Sequence, residues 1–438
     1  MNFTLLTSPP PSSYRSAAAP SSLPPGSVIS RELPFAFSLF PSFSDSFCSK
    51  CLTPVDEGSR KRCSGGCLGT FYCSKSCQVS DRSVHKHTCK RFSTAVDLAA
   101  SACPNLPLDE LLLLRRVYFL CLSSSSSPKG TVPPLSPSLS SLCKTDPLSP
   151  PSFASGDVSL SLAASRSLFL PPSSSPFFLD LLSRFRCNNF AVVTPLQYPV
   201  AHAIYPTAAI LNHSCAPNCV LTYEEGSVQV IRTIEQVAAG EELFHSYCDV
   251  TSPTAVRRKH LKEVYGFDCD CPRCTGAVGV ADELLTQVIG QGLTEKEEAE
   301  VERCLRRAGM VGAGEGEEDD VEKEYGLICR ALEIQRAKLG PLNVDLYKTQ
   351  GLALSVSMLL SSPSSLSHAS HLVTFLSAAC GSKNHPLLLL QQMTLSELKE
   401  NSGDLEGAKA MYGDIADGCE ITYGADHEYT RRYRRLLK

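Results

Sequence analysis

The chain has 438 residues, room for two or three domains with real cores, and its formal charge of −4 excludes a global footprint for nucleic acid or an anionic membrane. Its longest apolar runs, such as the leucines at 111–114, are too short to span a bilayer, so it reads as a soluble protein. Twenty-one cysteines, many in C-x2-C, C-x3-C or C-x-C pairs behind a start that breaks into prolines, exclude a small secreted disulfide scaffold and favour zinc thiolates in a reducing compartment.

Residues 1–22 are rich in Ser, Pro and Ala, with no acidic residue before Glu32, and read as a disordered or targeting tail. Residues 48–91 are dense in cysteine and basic, with nine Lys/Arg against Asp56, Glu57 and Asp81. The stretch 94–122 contains "LDELLLLRRVYFLCL", a buried helix by its apolar spacing. Residues 123–176 are Ser/Pro-rich without periodic pattern, as in a flexible insertion. Over 177–275 a globular pattern returns: "FAVVTPL", "NCVLTYEEGSVQVIRTI" and "EELFHSY" predict short strands, with "EEG" at 224–226 as a hairpin turn. From about 280 the apolar residues fall at helical spacing. Gly340, Gly381 and Gly424, 41 and 43 residues apart, each begin a new segment and predict stacked helical hairpins with a left-handed glycine at each helix end. The acidic run "GEGEEDDVEKE" at 314–324 reads as solvated surface.

The most specific pattern lies in residues 48–89. Cys48 and Cys51, Cys63 and Cys67, Cys73 and Cys77, then His85 and Cys89 supply eight nitrogen and sulfur donors, enough for two tetrahedral zinc ions. A segment this short buries little core, so metal binding must supply most of its folding energy. Four pairs at ligand spacing are too many for incidental buried thiols. His87 competes with His85 as a donor, but only His85 keeps an H-x3-C spacing.

The order of these donors, and "FYCSKSCQ…H…C" in particular, resembles the MYND zinc finger. In that family the pairs interleave, which would give one ion to Cys48, Cys51, Cys73 and Cys77 and the other to Cys63, Cys67, His85 and Cys89. Downstream, "RCNNFAVV" (186–193), "AIYPTAAILNHSC" (203–215), "GEELFHSYCD" (240–249) and "FDCDCPRC" (267–274) are similar to the SET methyltransferase core and its post-SET cysteines. The combination resembles the SET- and MYND-domain protein-lysine N-methyltransferases. The resemblance implies an α+β fold: a SET-type β fold with a pseudo-knot, interrupted by a MYND finger and followed by an α-helical tetratricopeptide-like domain. It divides the chain into a tail (1–22), a first SET segment (23–47), the finger (48–89), a helical inter-SET segment (90–122), the insertion (123–176), the SET core (177–250), a post-SET zinc segment (251–276) and the helical domain (280–438).

The activity implied is methyl transfer from S-adenosylmethionine to a lysine of a histone or non-histone protein, an in-line displacement needing a neutral amine and a dry channel. Tyr247 is the implied catalytic residue, and Asn188, Asn212, His213, Tyr247 and Phe267 the implied cofactor contacts, with Asn189 the alternative to Asn188. Tyr205 reads equally as channel wall or core. Zinc would be structural: Cys215, Cys269, Cys271 and Cys274 make a third site, with Cys219 the alternative fourth donor. Three zinc ions, peptide partners for the finger, a monomer in cytoplasm and nucleus and no membrane association complete the expectation. Nucleic acid ranks below peptide as a partner, and organelle targeting below a cytoplasmic and nuclear location. The Gly-rich cofactor turn of SET domains should fall near 14–20, where Tyr14 and Ser16 stand instead. That departure sustains an alternative, a catalytically weak zinc-binding adaptor that recruits partners through the finger and the helical repeats.

Overall fold

Short apolar runs broken by proline and glycine set the strands of the first half, and helical spacing takes over in the second. The computed structural model describes residues 3–7, 15–67, 69–87, 89, 108–124, 175–224, 226–278, 282–312 and 318–438; most of the expected insertion, the start of the inter-SET segment and Tyr14 lie outside them. In chain order the strands are β1 (Thr4–Thr7), β2 (Arg15–Ala18), β3 (Val28–Glu32), β4 (Ala36–Leu39), β5 (Lys61–Arg62), β6 (Phe71–Tyr72), β7 (Phe190–Val193), β8 (Pro199–Ile204), β9 (Asn212–His213), β10 (Cys219–Glu224), β11 (Val228–Thr233) and β12 (Phe244–His245). The helices of this half are α1 (Lys75–His85), α2 (Leu108–Ser124), α3 (Ser175–Asn188) and α4 (Thr254–Tyr265).

Two three-stranded sheets, ordered β10-β11-β3 and β4-β8-β7, hold the core of this half, with Ile29, Phe37, Val200, Tyr205, Leu211 and Ile231 buried together. The hairpin expected around "EEG" forms, with Glu224 opposite Val228. Strand β9 lies parallel to β12, so Asn212–His213 runs beside Phe244–His245 although 30 residues separate them. Residues 15–18, assigned above to the tail, are instead a strand. Leu243 N donates to Ala17 O at 2.7 Å and Ala19 N to Glu241 O at 2.9 Å, and Ala17, Ala18 and Ala19 are buried.

The cysteine-rich segment is a β5–β6 hairpin followed by α1, whose cap Ser74 accepts from Cys77 N at 3.2 Å. Buried Asp81 of α1 ties it to the rest: it accepts from Tyr72 Oη at 3.0 Å and from Arg116 of α2 at 2.6 Å. The expected buried helix is α2, which turns Leu111, Leu113, Leu114 and Val117 inward.

The C-terminal helices are α5 (Asp282–Leu285), α6 (Glu295–Gly312), α7 (Glu318–Lys338), α8 (Val344–Leu359), α9 (Ser365–Ala379), α10 (Pro386–Asn401), α11 (Leu405–Tyr423) and α12 (Glu428–Leu436). From α6 onward each packs on the next. Gly381 and Gly424 take the positive φ expected at helix ends, +71° and +100°. Gly340 does not. It is needed for close approach instead, since a Cβ there would stand 2.8 Å from Gln287 Cβ. Asn384, buried before α10, joins the halves by donating to Ile234 O at 2.9 Å, and its carbonyl accepts from Thr422 Oγ1 at 2.6 Å. No helix among the described residues is long and apolar enough to cross a membrane.

Candidate functional site

Three groups of donors converge. Cys48, Cys51, Cys73 and Cys77 form one, Cys63, Cys67, His85 and Cys89 a second, and Cys215, Cys269, Cys271 and Cys274 a third, the ligand atoms of each within 4.8 Å of one another. Four thiolates around a tetrahedral zinc at ~2.3 Å stand about 3.8 Å apart. The separations of Cys51–Cys73, Cys73–Cys77 and Cys51–Cys77, at 3.6, 3.6 and 3.8 Å, fit that edge, as does Cys215–Cys274 at 3.6 Å. His85 Nε2 stands 3.0 Å from Cys63 Sγ and 3.3 Å from Cys67 Sγ. His87 is turned elsewhere, its ring stacked on Phe119 at 4.7 Å. Cys219 lies in the core of the sheet with Ile231 and Leu243, away from the third cluster. The clusters could hold zinc, and without a cation burial leaves a thiol such as Cys269 pushed up to about 12.

Two buried arginines serve the third cluster: Arg257 donates to Cys274 Sγ at 3.5 Å and Arg273 to Cys215 O at 3.3 Å. Their charge would offset the net negative charge of four thiolates on one divalent ion. His213 and Cys248 with Cys215 form an overlapping set. The hydrogen bonds of His213 decide between them. Its Nδ1 accepts the backbone N–H of Tyr247 at 2.9 Å, so the proton of the neutral ring sits on Nε2, where it points at Cys215 Sγ 3.1 Å away. A protonated nitrogen cannot ligate, and His213 is therefore a hydrogen-bond donor to the Cys215 sulfur.

The same histidine leads to Tyr247, which follows β12. The Tyr247 hydroxyl donates to Leu211 O at 2.6 Å, just before β9, so this ring is held at both ends by the Leu211–His213 segment. Tyr247 is 4.8 Å from the Tyr265 ring and 5.3 Å from His213, and Phe267 lies 6.0 Å from His213. Such a set of aromatic faces suits a sulfonium cation. Asn212 is fixed by bonds to Arg15 O at 3.1 Å and Glu242 Oε1 at 2.7 Å. Asn188 is buried at the end of α3, its amide donating to Arg184 O at 2.6 Å. Tyr205 is core: fully buried, its hydroxyl donates to Ser227 O at 2.6 Å.

A cavity of about 440 Å³ opens beside Tyr247, walled by Cys187, Asn189, Phe190, His245, Cys248 and Tyr265 among others. Val193 and Tyr223 are shared with a cleft of about 1310 Å³ that reaches Leu52 and Pro54 of the finger segment and Tyr423–Arg431 at the end of the helical array. Tyr265 and His245 were not singled out from the sequence. Tyr265 sits two residues before Phe267, and "YGF" ahead of the post-SET cysteines was the signal to read. His245 carried no signal; only β12 turns it into the wall.

The SET domain family model matches residues 56–248. Strands β3 and β4, which precede that match, complete the two three-stranded sheets. Among curated proteins the chain is 30% identical over 230 residues to the zebrafish (Danio rerio) N-lysine methyltransferase SMYD2-A, covering 52% of this chain and 50% of that one. It is 29% identical to human Histone-lysine N-methyltransferase SMYD3 over 265 residues, 60% of this chain and 59% of that one. Human N-lysine methyltransferase SMYD2 is 29% identical over 241 residues, 55% and 53% of the two chains. The aligned part thus spans about half to three fifths of these relatives. The chain is thus similar to SET domains over residues 56–248 and to these lysine methyltransferases over about half to three fifths of its length, and residues 48–89 carry the paired cysteine clusters.

Proposed function

We propose that this protein is an S-adenosylmethionine-dependent protein-lysine N-methyltransferase acting on histone or non-histone lysines. The observation that carries the reading is Tyr247, which lines a cavity of about 440 Å³ and whose hydroxyl and backbone N–H are both fixed by the Leu211–His213 segment. S-adenosylmethionine would supply an electrophilic methyl on a sulfonium. Asn188, Asn212, His213 and Phe267 would hold it, and the Tyr247 oxygen, its proton committed to Leu211 O, would keep lone pairs toward the reacting carbon. Tyr265 and Phe190 would keep water from the amine. The adjoining cleft, which bears Arg31, Glu224, Arg232 and Glu428, is of a size to take a segment of a protein substrate. The eight donors of residues 48–89 and the cluster at Cys215 would hold three zinc ions in all, none of them in the reaction. A monomer located in cytoplasm and nucleus, with peptides as partners of the finger, completes the reading.

The test is calorimetry with S-adenosylmethionine together with incorporation of labelled methyl into core histones and cell extract. Tyr247→Phe should lower incorporation by about 100-fold while zinc content and melting temperature stay put. A wild-type chain that neither binds the cofactor nor labels any protein would leave the adaptor reading in its place.

A further inference from the structure

Cys248 follows Tyr247 directly and brings a fifth sulfur to the third cysteine cluster. The parallel pairing of β9 with β12 continues into Ser214, whose N–H donates to His245 O at 3.1 Å, so the segments leading to Cys215 and to Cys248 run side by side. The two sulfurs lie within 4.8 Å of each other, and His213 Nε2 stands 3.1 Å from the first and 4.0 Å from the second. The two thiols differ in access. Cys215 is fully buried, whereas Cys248 is half-buried and lines the cavity of about 440 Å³. Cys215, Cys269, Cys271 and Cys274 already fill a tetrahedral site, which leaves Cys248 without a place on the ion. A thiol that a small oxidant can reach, with a second sulfur directly behind it, is the arrangement of a sensing and a resolving cysteine.

We propose that Cys248 is a thiol oxidised by hydrogen peroxide and resolved by Cys215, and that the resulting disulfide expels zinc from the third cluster and frees Tyr247. In the first step the Cys248 sulfur attacks one peroxide oxygen. The S–O bond forms, the O–O bond breaks, and the thiol proton leaves on the departing oxygen as water. The Cys215 sulfur then attacks the sulfenic sulfur: the S–S bond forms, the S–O bond breaks, and hydroxide leaves to take a proton from solvent. Two electrons pass from the pair of sulfurs to the peroxide. A sulfur bonded into a disulfide is no longer a thiolate, so the ion keeps three of its four ligands and is released. His213 then loses the thiolate that its Nε2–H served, and the ring that holds the Tyr247 N–H through Nδ1 at 2.9 Å loses its orientation. The inference requires zinc at the third cluster but not methyl transfer, so its test stands apart from the activity proposed above.

The experiment treats the zinc-loaded full chain with a small excess of hydrogen peroxide and blocks the remaining thiols. Trypsin cutting at Arg186, Arg232 and Arg257 places Cys215 and Cys248 on separate peptides, so mass spectrometry reads the link directly. The two peptides should appear joined, with fragmentation locating the bond at Cys215 rather than at Cys187 or Cys219. Cys248→Ser should hold as much zinc as wild type and yield it to a chromogenic chelator under peroxide about tenfold more slowly at this cluster. Cys187→Ser, which removes another thiol of the cavity wall, should behave as wild type. Hydrogen exchange should find the Tyr247 amide protected in the zinc-loaded chain and about tenfold faster after oxidation, with protection regained on adding dithiothreitol and zinc. A disulfide that joins Cys187 or Cys219 instead, or zinc release equal in wild type and Cys248→Ser, overturns the sensing pair. Should Cys248→Ser fail to fold, the location of the disulfide in wild type still decides it. An amide of Tyr247 that exchanges at the same rate before and after oxidation overturns the link to the site.

Discussion

His213 shows how much one side chain can connect. Its two ring nitrogens join the third cysteine cluster to the backbone of Tyr247, through Nε2 at 3.1 Å from Cys215 Sγ and Nδ1 at 2.9 Å from Tyr247 N. The two halves can be separated by substitution, since an Asn carbonyl lies near the Nδ1 position and a Gln amide near Nε2. His213→Asn should keep the bond from Tyr247 but lose the donor to the thiolate, loosening zinc at this cluster by about 10- to 100-fold. His213→Gln should do the reverse, holding the metal while methyl transfer declines. Zinc release to a chromogenic chelator, read beside methyl incorporation, distinguishes them; equal loss of both functions in both variants would mean that the ring only fills space. The sequence placed His213 among the implied cofactor contacts but gave no sign of the bonds its ring makes to Cys215 and Tyr247. Nothing local could show the second, because the Tyr247 N–H arrives from 34 residues away.

At the level of elements, the turn of the β10–β11 hairpin is where the sheet meets the finger. Gly226 there has φ +78°, and a Cβ would lie 2.5 Å from Cys51 O and 2.9 Å from Leu52 C. Both obstacles are backbone, so neither can rotate away. Gly226→Ala should therefore destabilise the chain by about 2 kcal/mol or more and speed zinc loss from the cluster containing Cys51. Thermal melting and metal release check it; an unchanged melt would mean that finger and sheet do not touch in solution. Elements of this kind divide by how far their determinants reach. The hairpin and α2 could be read because alternation and helical spacing are local, and the donor pairs of residues 48–89 because ligands to one metal recur within a few positions. Strand β2 could not. It pairs with β1, and the alanine run 17–19 also bonds to residues 241–243, more than two hundred positions on, while small side chains leave no alternation to signal it. Gly340 was read as a left-handed helix end and proved to be a point of close contact with Gln287, a distinction that depends on a loop 53 residues away.

Across the whole molecule, the question is whether the SET half and the helical array unfold as one. Asn384 bonds to Ile234 O across the junction, and Val250 packs among Phe375, Leu376 and Leu388 of the array. That coupling can be tested by pH. Burial lowers His368 and His385 to about 4 and His245 to about 3, so all three are neutral in the folded chain at neutral pH. Unfolded, each would titrate near 6.5. Between about pH 6.5 and 4 the unfolded chain thus binds more protons than the folded one. Stability must then rise with pH and fall on acidification, by about 1.4 kcal/mol per pH unit for each histidine. His368 lies far along the chain from the cysteine clusters, paired with Tyr325 Oη at 3.1 Å and Gln350. His368→Gln should therefore lower the slope of stability against pH by about 1.4 kcal/mol per unit, in urea unfolding followed by helical circular dichroism. If the halves unfold together, unfolding followed through zinc release must change by the same amount, although the substitution is in the array. A slope that changes in the helical signal alone would show two units unfolding separately, with the Asn384 junction too weak to couple them.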